Sequence, residues 1–148
     1  MSILQTATTS FKVELLQGVH NFGPTSPNTF KVALYTASAN LGYDTTVYTA
    51  TNEVVGAGYS AGGNTLTISI SPTAANNNSG VPTAYISFAN TSWAGASFTA
   101  RAALIYNSTQ GNKSVAVLDF GSDKTVANDT FQITFPTADA NSAIVRIS

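Results

Sequence analysis

The chain has 148 residues and a net charge of −1, with seven acidic and six basic side chains, one histidine and no cysteine. Without cysteine there is no disulfide framework, zinc-thiolate site, iron–sulfur cluster or cysteine nucleophile. Without a basic run there is no electrostatic footprint for a nucleic-acid backbone. Charged residues are 9 % of the sequence, against about 25 % in an average soluble domain, so the polar surface has to come from Ser, Thr, Asn and Gln. Such a surface does little to hold molecules apart, which suits a protein packed against neighbours. The length fits one domain and is large enough to bury a core without covalent staples. MSILQTATTS has neither a basic leader nor a long apolar run, so no secretory signal is expected. No stretch approaches the ~20 apolar residues that span a bilayer. The expected product is soluble, made in a cytoplasm and not associated with a membrane.

Taken in order, residues 1–9 read as an extended arm and 10–148 as a single domain. Ser10 is a candidate N-cap for a short helix from Phe11 to Gln17 or Val19, so that the helix occupies roughly 10–19. Phe11, Leu15 and Val19 form its apolar stripe, with Lys12, Glu14 and Gln17 facing away and Gly18 able to end it. HNFGPTSPN is a loop held open by Pro24 and Pro27. From Thr29 the period changes to two, with Phe30, Val32 and Leu34 against Lys31, Ala33 and Tyr35, which predicts a strand. Ala37–Thr46 is a loop and Val47–Val55 a weak strand. Asn64–Ser71 and Ala84–Phe88 alternate as strands on either side of a long polar loop, SPTAANNNSGVP.

The segment Phe98–Phe120 is the expected centre. Phe98–Tyr106 and Ser114–Phe120 carry small or branched residues on both parities, as strands covered on both faces do, and Gly111-Asn112 lies in the polar turn between them. NTSWAGAS leads into this hairpin and GSDKTVAND reads as a turn after it. Thr130–Phe135 and Ala143–Ile147 close the chain as strands. Together these predict an all-β fold, a sandwich or small barrel of about seven or eight strands with one short N-terminal helix.

Few residues suggest chemistry. Gly56-Ala57-Gly58-Tyr59-Ser60-Ala61 fits the letters of a dinucleotide fingerprint, but a strand follows where a helix N-terminus must receive the pyrophosphate, so the motif is rejected. His20, the sole histidine, falls at a helix end, where an imidazole commonly bonds to backbone carbonyls. Asp119, Asp123 and Asp129 flank one predicted turn and are weak calcium candidates; they lack the loop spacing of a specific site, and turn-capping is the competing role. Otherwise neither metal nor cofactor is expected, and no catalytic residue is assigned. Tyr43, Tyr48, Tyr59 and Trp93 fall in predicted loops or weak strands and are candidates for exposed contacts, with packing as the alternative. Ile3 and Leu4 join them as interface candidates on the arm.

The succession SFKVELLQGVHNF, TFKVALYTASANL, NEVVGAGYSAGGNTL, ARAALIYNST and SVAVLDFGSDK resembles a family of small proteins encoded by tailed bacteriophages, over nearly the whole chain from Thr9 to Ile147. The resemblance implies a virion structural protein without enzymatic activity, made in the host bacterium, and it brings no catalytic residues. The expected role is a capsid decoration (cement) subunit bound to the major capsid protein, as a homo-oligomer and specifically a trimer. A tail or tail-fibre accessory protein bound to other tail proteins is the alternative. A carbohydrate-binding adhesion module using Trp93, Tyr48 and Tyr59 is a further one.

Overall fold

The computed structural model describes residues 2–148. At its centre lies the expected hairpin, extended well beyond its apolar half. β6 (Thr91–Asn107) and β7 (Lys113–Ile133) pair antiparallel from Asn107↔Lys113 beside the turn to Thr91↔Ile133 at the far end. Gly111 and Asn112 take φ of 68° and 61° there, the left-handed conformation that reverses the chain. β2 (Phe30–Tyr35) adds to β6, β3 (Asn64–Leu66) to β2, and β1 (Thr6–Ala7) to β7, giving a five-stranded sheet in the order β1-β7-β6-β2-β3. β4 (Ile68–Asn76), β5 (Pro82–Phe88) and β8 (Val145–Ile147) form a second sheet in the order β4-β5-β8. The described residues therefore form an all-β sandwich of eight strands with one helix, α1 (Thr9–Leu16). No helix among the described residues is long and apolar enough to cross a membrane.

The continuous apolar character of β2 and the first half of the hairpin follows from burial on both faces. On one face Phe30, Val32, Leu34, Ala103, Ile105 and Val115 belong to the main core, where Phe22 stacks on Phe30 at 4.2 Å and Phe88 closes the aromatic group. On the other, Ala33, Tyr35, Leu104, Tyr106 and Val117 pack with Ala39 and Leu41 in a smaller second core.

Several boundaries differ from the sequence reading. The arm 1–9 is not free: Ile3 bridges to Leu41, Thr6 and Ala7 pair with Val117 and Ala116, and Thr8 is fully buried with its Oγ1 2.9 Å from Ser114 Oγ. Thr8, not Ser10, caps the helix by accepting from Phe11 N–H, and the helix stops at Leu16 rather than Gln17 or Val19. Gly18, at φ 71°, ends it as expected, with Val19 N–H donating to Glu14 O. Phe11 and Leu15 face the core as the stripe predicts and Lys12 and Gln17 face away, but Glu14, expected outside, points inward.

The turn predicted over Gly121–Asp129 is instead part of β7. The ladder skips from Ala102↔Asp119 to Ala100↔Lys124, so Phe120–Asp123 bulge out and the strand continues. NTSWAGAS likewise belongs to β6 from Thr91 onward. The long polar loop after Ser71 is mostly strand and closes in a tight turn over Asn77–Gly80. Val47–Val55 forms only isolated bridges, at Val47↔Lys113 and Glu53↔Tyr35.

Candidate functional site

Two polar networks in the interior are built around carboxylates. In the first, Glu14 on α1 meets His20 and Lys113. His20 Nε2 lies 2.7 Å from Glu14 Oε2, and Lys113 Nζ donates to Glu14 Oε1 at 2.8 Å. Asn107 orients the ring. Its Nδ2 donates to Asn28 Oδ1 and stands 3.0 Å from His20 Nδ1, while its Oδ1 accepts from Gln110 N–H. Nδ1 is therefore the acceptor, and the hydrogen on Nε2 is donated to Glu14.

Burial pushes the Glu14 carboxyl up, but the hydrogen bonds from Lys113 and His20, with the charge of Lys113, outweigh it and hold it below the ordinary 4.5. A depressed carboxylate contributes stability above its unfolded value and loses it as pH falls through the folded one. The melting temperature is expected to drop as the pH is lowered below 4.5, and Glu14→Gln to flatten that drop; equal acid sensitivity in both proteins would refute the assignment.

The second network is built on Glu53, 7 % exposed. Tyr48 O–H donates to Oε2 at 2.7 Å, while Tyr59 O–H (2.6 Å) and Gly62 N–H (2.7 Å) donate to Oε1. Tyr48 also stacks on Tyr106 at 4.8 Å, and the Tyr106 hydroxyl donates to Gly62 O. Burial first, then the Glu53 carboxylate, pushes up all of Tyr48, Tyr59 and Tyr106, the last to about 12. These phenols stay protonated and act as structural donors. Both networks join segments far apart in sequence, and in each the carboxylate already has its partners.

Tyr48 and Tyr59 are thus tied into the interior. Trp93 is not in a loop either: it sits in β6, 4 % exposed, between Tyr59 and Phe131 with ring centroids 6.0 Å from each. The open stacking platform expected of Trp93, Tyr48 and Tyr59 is not formed. Asp119 is held by Arg101 Nε at 3.0 Å and caps Gly121 N–H, which keeps its carboxyl low, and Asp129 caps Thr130 N–H. Among the described residues no three His, Cys, Asp or Glu side chains gather around a common point, so Asp119, Asp123 and Asp129 do not assemble a cation site.

Two of the expected interface residues do face solvent together. Leu4 is 49 % and Tyr43 61 % exposed, and the arm is bound to the loop that carries Tyr43 through Leu4 N–H to Leu41 O, 2.9 Å. Ile3, by contrast, packs against the second core. The same loop continues along α1, with Thr9 N–H donating to Tyr43 O and Ser10 Oγ to Thr45 O. Val47 further along it and Val13 on the helix are also exposed. No family model, curated protein or solved structure matches this chain.

The candidate functional surface is therefore the face formed by the arm, the loop 41–47 and α1. Leu4 and Tyr43 line one depression with Ser2, Asn40 and Asp44, and Val13 on α1 and Val47 on the loop add exposed apolar area. Sequence reasoning missed Val13 and Val47. The signal available was an apolar residue directly after the polar run Asp44–Thr46 and one off the predicted helical stripe.

Proposed function

We propose that this protein is a non-catalytic virion structural subunit of a tailed bacteriophage, a capsid decoration protein that docks on the assembled head through the face around Leu4 and Tyr43. The observation that carries the reading is the grouping of exposed apolar side chains on a loop and helix that the fold holds firmly, on a surface poor in charge. Docking such a face removes apolar area from water without stripping ions of their hydration, the economy expected at the core of a protein interface. The partner is the major capsid protein, and the location is the virion.

Two measurements test this. The copy number in purified particles is expected to equal, or to be a simple fraction of, that of the major capsid protein; a handful of copies retained on isolated tails would move the protein to the tail. Replacing Leu4 and Tyr43 together with serine is expected to weaken binding to heads about tenfold, from the area lost on two apolar side chains. The melting temperature should stay within a few degrees of the parent, since both side chains are half or more exposed. Undiminished head binding by this variant would rule the face out.

A further inference from the structure

β7 has a long backbone edge with no partner strand. β1 covers that edge only at Ala116 and Val117; from Leu118 to Ile133 β7 pairs with β6 on one side and, among the described residues, with no strand on the other. Asp119 and Asp129 cap the amides of Gly121 and Thr130, which leaves Ser122–Ala127 as the open stretch between them. Natural sheets shield edges of this length or pair them.

The residues along the edge have a definite order on one face. Lys124, Val126, Asp129 and Phe131 stand opposite Ala100, Phe98, Ala96 and Trp93, all of which belong to the main core. Even and odd numbers share that face because Asn128, at φ 48°, is an extra residue between the pairs Ser97↔Ala127 and Ala96↔Asp129. With Phe120 and Ile133 these side chains line an open concavity of about 630 Å³, and Phe120, Val126 and Phe131 are only partly buried.

We propose that this edge is the interface of a two-fold dimer, in which the β7 strands of two copies pair antiparallel about Val126. Once the bulged Asn128 is set aside, Lys124 and Asp129 lie equally far from Val126 on either side. Antiparallel pairing then brings Val126 against Val126 of the second copy, and Lys124 against Asp129 twice, on the same face of a continuous sheet. Asp123 falls opposite Thr130, so no like charges meet. This self-complementary placement of charge selects a second copy over an unrelated strand, because a two-fold axis repeats each contact with its roles exchanged. Main-chain hydrogen bonds supply the attraction, and the side chains fix the register. The two concavities come edge to edge, and the apolar side chains of one extend those of the other. The face around Leu4 and Tyr43 takes no part in this interface, so the proposal stands apart from the function proposed above.

The absence of cysteine makes the register directly testable. Residues facing each other across an antiparallel ladder have Cα atoms about 4.5–5.5 Å apart, within disulfide range. Val126→Cys is expected to give a covalent dimer on mild oxidation, whereas Ser122→Cys, displaced from the axis, stays uncross-linked. Lys124→Asp or Asp129→Lys alone is expected to raise the dimer dissociation constant about fivefold in sedimentation equilibrium, and the two together to restore it. Both positions are exposed, and melting curves verify that each variant is folded. Failure of Val126→Cys to cross-link, equal cross-linking of both cysteine variants, or a dissociation constant indifferent to either charge would overturn the proposal. A chain that sediments as a monomer throughout would do the same and leave the edge to a different protein.

Discussion

Replacing Glu53 with alanine is expected to destabilise the fold by about 4 kcal/mol, while glutamine at the same position costs about 1 kcal/mol or less. Alanine leaves the Tyr48 and Tyr59 hydroxyls and Gly62 N–H with no acceptor in a site from which water is largely excluded. Each orphaned donor loses its hydration without replacement. Glutamine keeps one oxygen for Tyr59 and Gly62, and its amide can donate to the Tyr48 oxygen once that hydroxyl turns. The carboxylate also secures a long excursion of the chain. Residues 36–63 leave β2 and return to β3, and Glu53, Tyr48, Tyr59 and Tyr106 bind that excursion to the second core. Urea unfolding of the two variants checks the claim; equal losses would mean that charge, rather than the number of acceptors, holds the network.

A Gly63→Ala substitution is expected to cost at least about 3 kcal/mol, from backbone overlap added to an unfavourable φ. Gly63 has φ 66°, and a Cβ there would overlap the Val32 carbonyl oxygen while lying 2.7 Å from its carbon and 2.8 Å from Ala33 Cα. All three atoms are backbone of β2, which is paired on both edges and cannot retreat. Gly111→Ala is the control. It has a similar φ of 68° but nothing within 4 Å, so only the conformational term of about 1 kcal/mol remains. If the two variants unfold at the same urea concentration, the close approach of Gly63 to β2 is not what requires a glycine. The glycines whose spacing imitates a dinucleotide fingerprint follow the same logic: Gly56 and Gly58 lie against the backbone of β6, where a Cβ would meet Ser97, Ala94 and Gly95 carbonyl oxygens.

The parts of the fold legible in the sequence are those where burial forces a pattern. β2 and the inner halves of β6 and β7 are covered on both faces, and their apolar runs announce strands. Gly121–Asp129 in the outer half of β7 carries no such pattern, since its open edge and exposed face tolerate Asp, Lys, Asn and Gly, which read as a turn. The arm was illegible for another reason: its partners are remote, Thr8 meeting Ser114 across 106 positions, and two short pairings leave no periodicity. Glu14 was placed on the solvent side because it is charged, yet Lys113 and His20, brought from other elements, make its burial tolerable. The exposure of Tyr43 and Leu4 was legible, as both lie in polar surroundings. The burial of Trp93 was not, because the ladder around it is polar and bulged.

The closure of Thr6–Thr8 on the first residues of β7 also sets the order in which the molecule can be made. Thr6, Ala7 and Thr8 leave the ribosome more than a hundred positions before the residues they pair with, Ser114 to Val117. β2 must likewise wait for β6, and β5 for β8 at the end of the chain. Little of the sandwich can therefore form during translation, and contacts so distant in sequence place folding in the millisecond-to-second range of β proteins. Until then the apolar strands of the emerging chain lack their neighbours, which is when β-rich chains aggregate. Two hairpins, β4–β5 and β6–β7, have halves adjacent in the chain, and the larger, β6–β7, is the natural nucleus. Assembly then runs outward from that hairpin, and Thr6–Thr8, made long before it, are fixed only after it has formed.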